Sequence, residues 1–534
     1  MRKLFERYPV GAVLLLMLLC LSPFMALRDV TPANELRYLS IADEALSEGH
    51  LFAFTNHGEP YADKPPLYFW ILMLCRLVFG RHCFYFLALF SFLPAALVTL
   101  IMDRWVYGNR REASPEERAI MALMLSSTGY WVLLSLFLRM DMLMVLFIVL
   151  ALRSWYRDRP WLFALYTFLA LFTKGPVGIL MPPLVVLVCL LFWRDKPKDD
   201  PRMRIGRFLG WRFLLLVGGC CAVWFTAAWF EGGADYLRNL LFHQTVDRAV
   251  NAFHHKEPFW FYLVSLWPIM LPWCLLTVTA CVCSLCRRGE SAAPQTEDGI
   301  SEKLFRCAFF VPLVMLSCSS GKLPVYLLPV FPFVIYLLPL YVRRTGWRRW
   351  MDWAIVIPAI LLVVTALLLS MEPFLHDRIP SLAPYGFAKS PAFSIAGAFV
   401  VCGGVLTVVL ALRSGYKNAS TIPLAFSILA FVTTLSFVLP QANEFIGYGA
   451  LCRDIPAGEQ VYVREHNRPE NMDVYLGRSV KIVEVDDPLP ADGVLITKAT
   501  FHDPALDGRE CHLHGESALW LPARNAPDND PEYE

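Results

Sequence analysis

Apolar stretches long enough to cross a lipid bilayer recur through this chain, and no other feature restricts its fold so strongly. A span needs roughly 17–25 apolar residues. Such runs fall near 9–27, 84–101, 119–138, 142–156, 161–173, 176–193, 212–230, 259–285, 304–318, 323–341, 351–371, 391–412 and 421–440. Inside a bilayer the backbone finds no water to bond, so each run has to be helical. The reading is an all-α polytopic membrane domain of about thirteen transmembrane helices over 1–440. Composition agrees, with 56% of the 534 residues hydrophobic and 18% charged, too apolar for a soluble multidomain chain. The net charge of +2 gives no sign of a nucleic-acid partner, and none is expected.

The first run follows a basic start, Met-Arg-Lys-Leu-Phe-Glu-Arg, but Leu-Ser-Pro-Phe-Met-Ala-Leu-Arg lacks a small-x-small cleavage site. It is expected to stay as an uncleaved anchor. The stretch 65–80, PPLYFWILMLCRLVFG, is apolar but short and carries Arg76, so a helix lying at the membrane interface is expected there. With the N-terminus in the cytoplasm, the inner segments hold 27 of the 48 Lys and Arg residues and the outer loops 13. That bias of about two to one is the one cytoplasmic loops show, and it places the tail outside.

After Pro440 the pattern changes. Residues 441–534 alternate short β-type runs (Gln460-Val-Tyr-Val, Val480-Lys-Ile-Val-Glu-Val, Gly493-Val-Leu-Ile-Thr, Ala518-Leu-Trp-Leu) with Pro, Gly and Asp turns, which predicts a small C-terminal α/β domain. Most of the 15 cysteines lie inside apolar runs, where a thiol acts as a small hydrophobe. Only Cys75 with Cys83, and Cys452 with Cys511, fall where an oxidising compartment could pair them. Cys452 and Cys511 flank the main β-type runs and are expected within disulfide reach.

The polar clusters sort to one side of the membrane. Asn34-Glu35-Leu-Arg37-Tyr38 and Asp63-Lys64 fall in the first outer loop, Arg139-Met-Asp141 at the outer end of the third span, and Thr173-Lys174-Gly-Pro after the fifth. The fourth outer loop holds His243, Asp247, Arg248, His254, His255 and Lys256, and Gly321-Lys322-Leu-Pro-Val-Tyr326 forms the fifth. Any one of these has an ordinary explanation, since a Lys or Arg at a helix end snorkels and Pro-Pro starts helices. Together they concentrate costly charge at one membrane surface, which marks function. None sits mid-span, where a transporter keeps its ion site. Five cations (Arg37, Lys64, Lys174, Arg248, Lys322) and three acids (Glu35, Asp63, Asp141) at headgroup level suit a phosphate-linked lipid, because cations bind phosphate and stabilise the charge on a departing phosphate. All eight are expected to line one outward-facing cavity.

In order, NELRYLSIADEALSEGH, ADKPPLYFW, LRMD, TKGPVG, HQTVDRAVNAFHHKEPFWFY and SSGKLPVYLLPVFP resemble the bacterial members of the dolichyl-phosphate-mannose protein mannosyltransferase superfamily. The resemblance is greatest to the 4-amino-4-deoxy-L-arabinose lipid A transferases, glycosyltransferases of the GT-C fold. It implies a bacterial inner-membrane enzyme with a periplasmic C-terminal domain, a polyprenyl-phosphate-linked sugar donor, and lipid A or another envelope acceptor. It implies catalytic roles for Glu35, Asp141 and Asp63, and substrate contacts from Asn34, Arg37, Tyr38, Lys64, Lys174, Arg248, Lys322 and Tyr326. Asp63 and His255 resemble positions that hold a divalent metal ion in some members. Where the family generally has a catalytic Asp, this chain has Asn34. Either Glu35 supplies the charge, or the step needs no base and Asn34 only hydrogen-bonds the sugar. A Ser/Thr protein acceptor, a lipid or solute transporter and an envelope sensor are the competing functions. The transporter reading calls for inverted repeats and broken helices carrying midplane charges, neither of which is visible in the sequence.

Overall fold

A computed structural model of the chain describes residues 6–522, apart from 109–112, 194–196, 198, 242–256, 287–295, 376–384 and the single positions 414, 416, 467 and 491. Seven helices among the described residues are long and apolar enough by length and composition to cross a membrane, among them Pro9–Leu27, Phe84–Tyr107, Arg349–Phe374 and Pro391–Leu412. Others are apolar but shorter, as in Pro160–Lys174 and Pro176–Phe192.

Two expected spans are each interrupted. The run 119–138 divides into Pro115–Ser126 and Gly129–Leu134, and the run 259–285 into Phe261–Ile269 and Cys274–Cys286. The two breaks meet and satisfy each other's backbone. Gly129 N donates to Leu271 O at 2.9 Å, and the Trp273 indole donates to Ser127 Oγ at 3.0 Å. Ser127 and Thr128 return their hydroxyls to the carbonyls of Leu123 and Met124. Broken helices are therefore present, contrary to the sequence reading, but hydroxyls rather than charges line the junction, which is how a freed backbone is stabilised within a helical bundle.

The helix Pro66–Phe79 packs against Arg37–Glu48 and leaves Leu74, Leu77 and Val78 exposed, the face a membrane surface would take. Arg76 pairs with Asp43 at 3.4 Å, and Asp43 also holds His82 at 2.8 Å.

The C-terminal region forms a five-stranded sheet from β3 (Val461–Val463), β4 (Lys481–Ile482), β5 (Val494–Lys498), β6 (Cys511–His514) and β7 (Ser517–Trp520), in the order β4-β3-β5-β7-β6. The β3 pairings are parallel, and β7 is antiparallel to both β5 and β6. Cys452 and Cys511 are both free, which corrects the expected pairing. Cys452 is buried in the short helix Gly449–Arg453, while Cys511 opens the exposed edge strand β6. Burial pushes the Cys452 thiol up to about 12, a protonated and unreactive state. Cys75 and Cys83 are free as well.

This sheet does not stand apart from the helices. Val461, Val463, Val494, Ile496 and Leu519 share one hydrophobic core with Leu36, Tyr38 and Leu39 of the first outer loop and with Leu138 and Met140. Asp29, at the end of the first span, fastens the joint. Its carboxylate accepts from Val30 N at 2.8 Å, from Gly449 N at 2.7 Å and from the Tyr475 hydroxyl, and Asn443 bridges Asp29 N and Leu27 O. The approach at Gly449 is so close that a Cβ would sit 2.7 Å from Asp29 Oδ2. Asn471 and Asp473 reach Pro32 O and Ser40 Oγ.

Truncating Asp29 to Ala leaves the Gly449 amide and the Tyr475 hydroxyl without their acceptor, at an expected cost of about 2–3 kcal/mol. Thermal melting in detergent should show a lowered midpoint, with the C-terminal domain released early by limited proteolysis. A melting curve matching the unsubstituted protein would contradict this docking.

Candidate active site

The site is assembled where helix ends meet the first outer loop. Pro32–Leu36 forms a π-helical turn leading into Arg37–Glu48, a local widening of the helix that often accompanies a functional site. Glu35 is 1% exposed. Arg28 grips it with two parallel bonds of 2.7 and 2.5 Å. Thr31 donates through N at 2.9 Å and Oγ1 at 3.0 Å, and Leu138 N donates at 2.7 Å. A carboxylate offers about four acceptor positions, so five donors commit it fully. These bonds join the first span to the 137–141 segment through Glu35. Asn34, on the same turn, is partly exposed and makes no side-chain hydrogen bond among the described residues.

Asp141, also 1% exposed, opens the helix Asp141–Tyr156. Arg139 Nε donates to its Oδ2 at 2.9 Å, and Lys174 Nζ donates to its Oδ1. Lys174 ends the helix Pro160–Lys174 and lies 5.2 Å from the centre of the Tyr326 ring, a cation–π distance. Tyr38, Lys64, Arg139, Met140, Asp141 and Lys174 line a narrow cleft of about 20 Å³. Three cations around one acid leave a surplus of positive charge in a largely dry site, where an anion is the natural complement.

Tyr38 is the common neighbour. Burial pushes its phenol up, the guanidinium groups of Arg139 and Arg37 oppose that shift, and the Asp63 carboxylate adds to it. Arg37 stacks 5.4 Å from the Tyr61 ring, and its Nε is buried without a hydrogen-bond partner among the described residues. Lys64 Nζ donates to Asp63 O at 3.2 Å. The structure therefore brings together Arg37, Tyr38, Asp63, Lys64, Asp141, Lys174 and Tyr326, with Glu35 directly behind them.

Lys322 takes a different place. It is buried, and its ammonium donates to Ser319 O at 2.5 Å and Glu257 O at 2.8 Å. It pins the 319–322 turn and is not among the cleft's lining residues; Tyr326, four residues on, lies beside Lys174 instead. Arg248 and His255 lie outside the described residues. Of the expected metal pair only Asp63 is described, and no three His, Cys, Asp or Glu side chains among the described residues group as metal ligands.

Two residues went unread in the sequence. Glu231, on the helix Gly219–Arg238, accepts from the successive amides of Leu51, Phe52 and Ala53 at 3.0, 2.6 and 2.9 Å. Tyr236 accepts from Phe54 N at 3.2 Å and donates to Tyr61 O at 3.1 Å. Between them they clamp the hairpin of β1 (Phe54–Asn56) and β2 (Glu59–Tyr61), whose exit delivers Asp63 and Lys64 to the cleft. The available signal was an acid followed by Gly232-Gly233 at the end of an apolar run. Arg139 also gains a place in the site, as the second cation on Asp141.

Comparison with known proteins settles the architecture. The crystal structure of ArnT from Cupriavidus metallidurans bound to undecaprenyl phosphate superposes with a TM-score of 0.69 at 16% identity, covering 96% of this chain and 97% of that one. The chain has the same fold as that protein. It is a multi-pass membrane protein with a small C-terminal sheet. In sequence it is 27% identical over 341 residues to the undecaprenyl phosphate-alpha-4-amino-4-deoxy-L-arabinose arabinosyl transferase 1 of Pseudomonas fluorescens, covering 61% of this chain and 56% of that protein. A transferase of the same description from Sodalis glossinidius is 26% identical over 407 residues, covering 72% of this chain and 66% of the relative. The match thus spans little more than half the length of the Pseudomonas relative. No family model matches the chain.

Glu35→Gln removes the charge that compensates Arg28 in a buried pair, and breaking such a pair costs about 3–5 kcal/mol. The expected result is a large drop in the detergent melting midpoint. A variant that melts normally yet is inactive would place Glu35 in the catalytic group.

Proposed function

We propose that the protein is an inverting glycosyltransferase that moves a sugar from a polyprenyl-phosphate donor to an envelope acceptor, most consistently a lipid A phosphate, on the periplasmic face of a bacterial inner membrane. The observation that carries the reading is the buried Lys174–Asp141–Arg139 cluster with Lys64 and Tyr38 around one cleft, in a fold shared with an enzyme crystallised with undecaprenyl phosphate.

The chemistry follows from the charges. The acceptor oxygen attacks the anomeric carbon from the face opposite the carrier, the bond from that carbon to the carrier phosphate oxygen breaks, and the polyprenyl phosphate leaves with the electron pair. Lys64, Lys174 and Arg139 stabilise the charge as it develops, an effect worth about 10²–10³ in rate per donor in comparable sites. Lys174 would exchange part of its hold on Asp141 for the phosphate, freeing an oxygen of Asp141 for a sugar hydroxyl.

The acids also bear on the acceptor. Glu35 is saturated, Asn34 replaces the family's acid, and Asp141 is held by two cations, so none of these three positions offers an uncommitted carboxylate. A hydroxyl acceptor needs a base, whereas a phosphate is already nucleophilic. The arrangement therefore favours a phosphate acceptor over a Ser/Thr side chain. A divalent cation on Asp63 and His255 belongs to the same proposal, and chelation should lower transfer if it is held there.

Mass spectrometry of lipid A and of glycoproteins, from strains with and without the gene, tests the assignment. A sugar-sized mass increment on lipid A phosphate should depend on the gene. Asp141→Asn and Lys174→Gln should each reduce it at least a hundredfold with membrane insertion intact. An increment on protein instead of lipid A would move the acceptor to a hydroxyl, and normal lipid A modification by both variants would remove the reading.

A further inference from the structure

A second cleft lies at the opposite end of the helices and belongs to no part of the proposed reaction. We infer that it is a binding site for an anionic glycerophospholipid of the cytoplasmic leaflet. The inference rests on the orientation read from the Lys and Arg bias but not on the transfer reaction. The cleft, of about 200 Å³, opens between the start of Pro115–Ser126, the end of Phe331–Thr345 and the turn at Lys417.

Its polar end is Arg343. The guanidinium sits over the Tyr107 ring at 4.7 Å, while Nη1 and Nη2 are both buried and make no hydrogen bond among the described residues. The adjacent carboxylates, Glu117 at 3.7 Å and Asp298 at 3.9 Å, balance charge from beyond hydrogen-bond reach, and Glu117 already accepts from the Tyr107 hydroxyl at 2.9 Å. The neighbouring Arg344 holds Glu302 at 3.0 Å through Nη1, with its own Nε and Nη2 also unbonded among the described residues, but it is not part of the cleft's lining. A buried guanidinium with two unmet amino groups is costly, and its planar fork matches two oxygens of a phosphate. Exposed Lys417 stands at the rim, and the exposed Arg348 and Arg349 add to the local positive field.

The rest of the cleft is apolar and graded with depth. On one helix Leu338 lies five residues inward from Arg343, and on the other Met121 lies four inward from Glu117, which is roughly 6–7.5 Å at the helical rise. Trp347, whose indole donates to Asp352 at 2.7 Å, flanks the entrance at the depth where tryptophans favour the interface. A phosphate at the span terminus with hydrocarbon a turn deeper is the profile of a phospholipid. Basic pockets between helices on this side are where anionic headgroups bind. A soluble phosphate would satisfy Arg343 but leave the half-buried Val342 and Trp347 facing water.

The test uses the full-length protein, purified in detergent, stripped of lipid and titrated with phosphatidylglycerol, phosphatidylcholine or inorganic phosphate, with thermal melting and native mass spectrometry as readouts. Phosphatidylglycerol should raise the melting midpoint and give a discrete one-lipid adduct, and phosphatidylcholine should do neither. Arg343→Gln should weaken apparent affinity about tenfold. Lys417→Gln, at an exposed position that leaves the fold untouched, should weaken it severalfold and keeps the test decisive if the first variant is unstable. Equal responses to the two lipids, affinity unchanged in Lys417→Gln, or an Arg343-dependent response to inorganic phosphate alone would each overturn the inference.

Discussion

A buried carboxylate holding an arginine fork is the joint on which the charged end of this protein's helices depends. Glu35 draws Arg28, at the end of the first span, together with the amide of Leu138, so the third span's outer segment is fixed against the first outer loop. Arg139 and Asp141 follow directly, and their position sets where Lys174 and Tyr326 can meet them. A charged pair this dry is stable only when every lone pair is used, and Glu35 uses all of its own.

A second tier of contacts holds this joint from outside. Asp29 binds the C-terminal region through Gly449 and Tyr475, and Ser40, one turn beyond the π-helical segment, binds Asp473. Burial pushes the Asp473 carboxyl up. From the other side, Glu231 and Tyr236 hold the hairpin that precedes Asp63. The C-terminal region and the seventh expected span thus act on the cleft by positioning the loop that supplies Tyr38 and Lys64, which is what the proposed transfer needs if its cations are to be preorganised.

Much of this was legible from local pattern. The apolar runs, the placement of Asp63-Lys64 before Pro65-Pro66, and the acid or base at the ends of 119–138 and 161–173 put the charges on one face, and the face is where the cleft lies. The β-type runs after Pro440 marked four of the five strands of the C-terminal sheet, and missed Cys511–His514, where Cys and Leu do alternate with His but over only four residues and without a β-branched or aromatic side chain. What stayed hidden depends on tertiary partners. Glu35 and Glu231 are both acids near membrane helices, yet their jobs are set by which amides point at them. Lys322 reads as a phosphate ligand until Ser319 O and Glu257 O are seen to hold it. The interruption at 127–128 carries Ser and Thr, which occur in continuous helices too, and only the opposing break at Leu271 shows why the chain opens there.

The measurement that bears most directly on the account is a cryo-electron microscopy structure of the chain with polyprenyl phosphate bound. The account requires the phosphate within hydrogen-bond distance, about 2.7–3.1 Å, of Lys64 and at least one of Lys174 and Arg139, with the Lys174–Asp141 contact loosened. A phosphate seated elsewhere, with Lys174 and Arg139 still closed on Asp141, would contradict it.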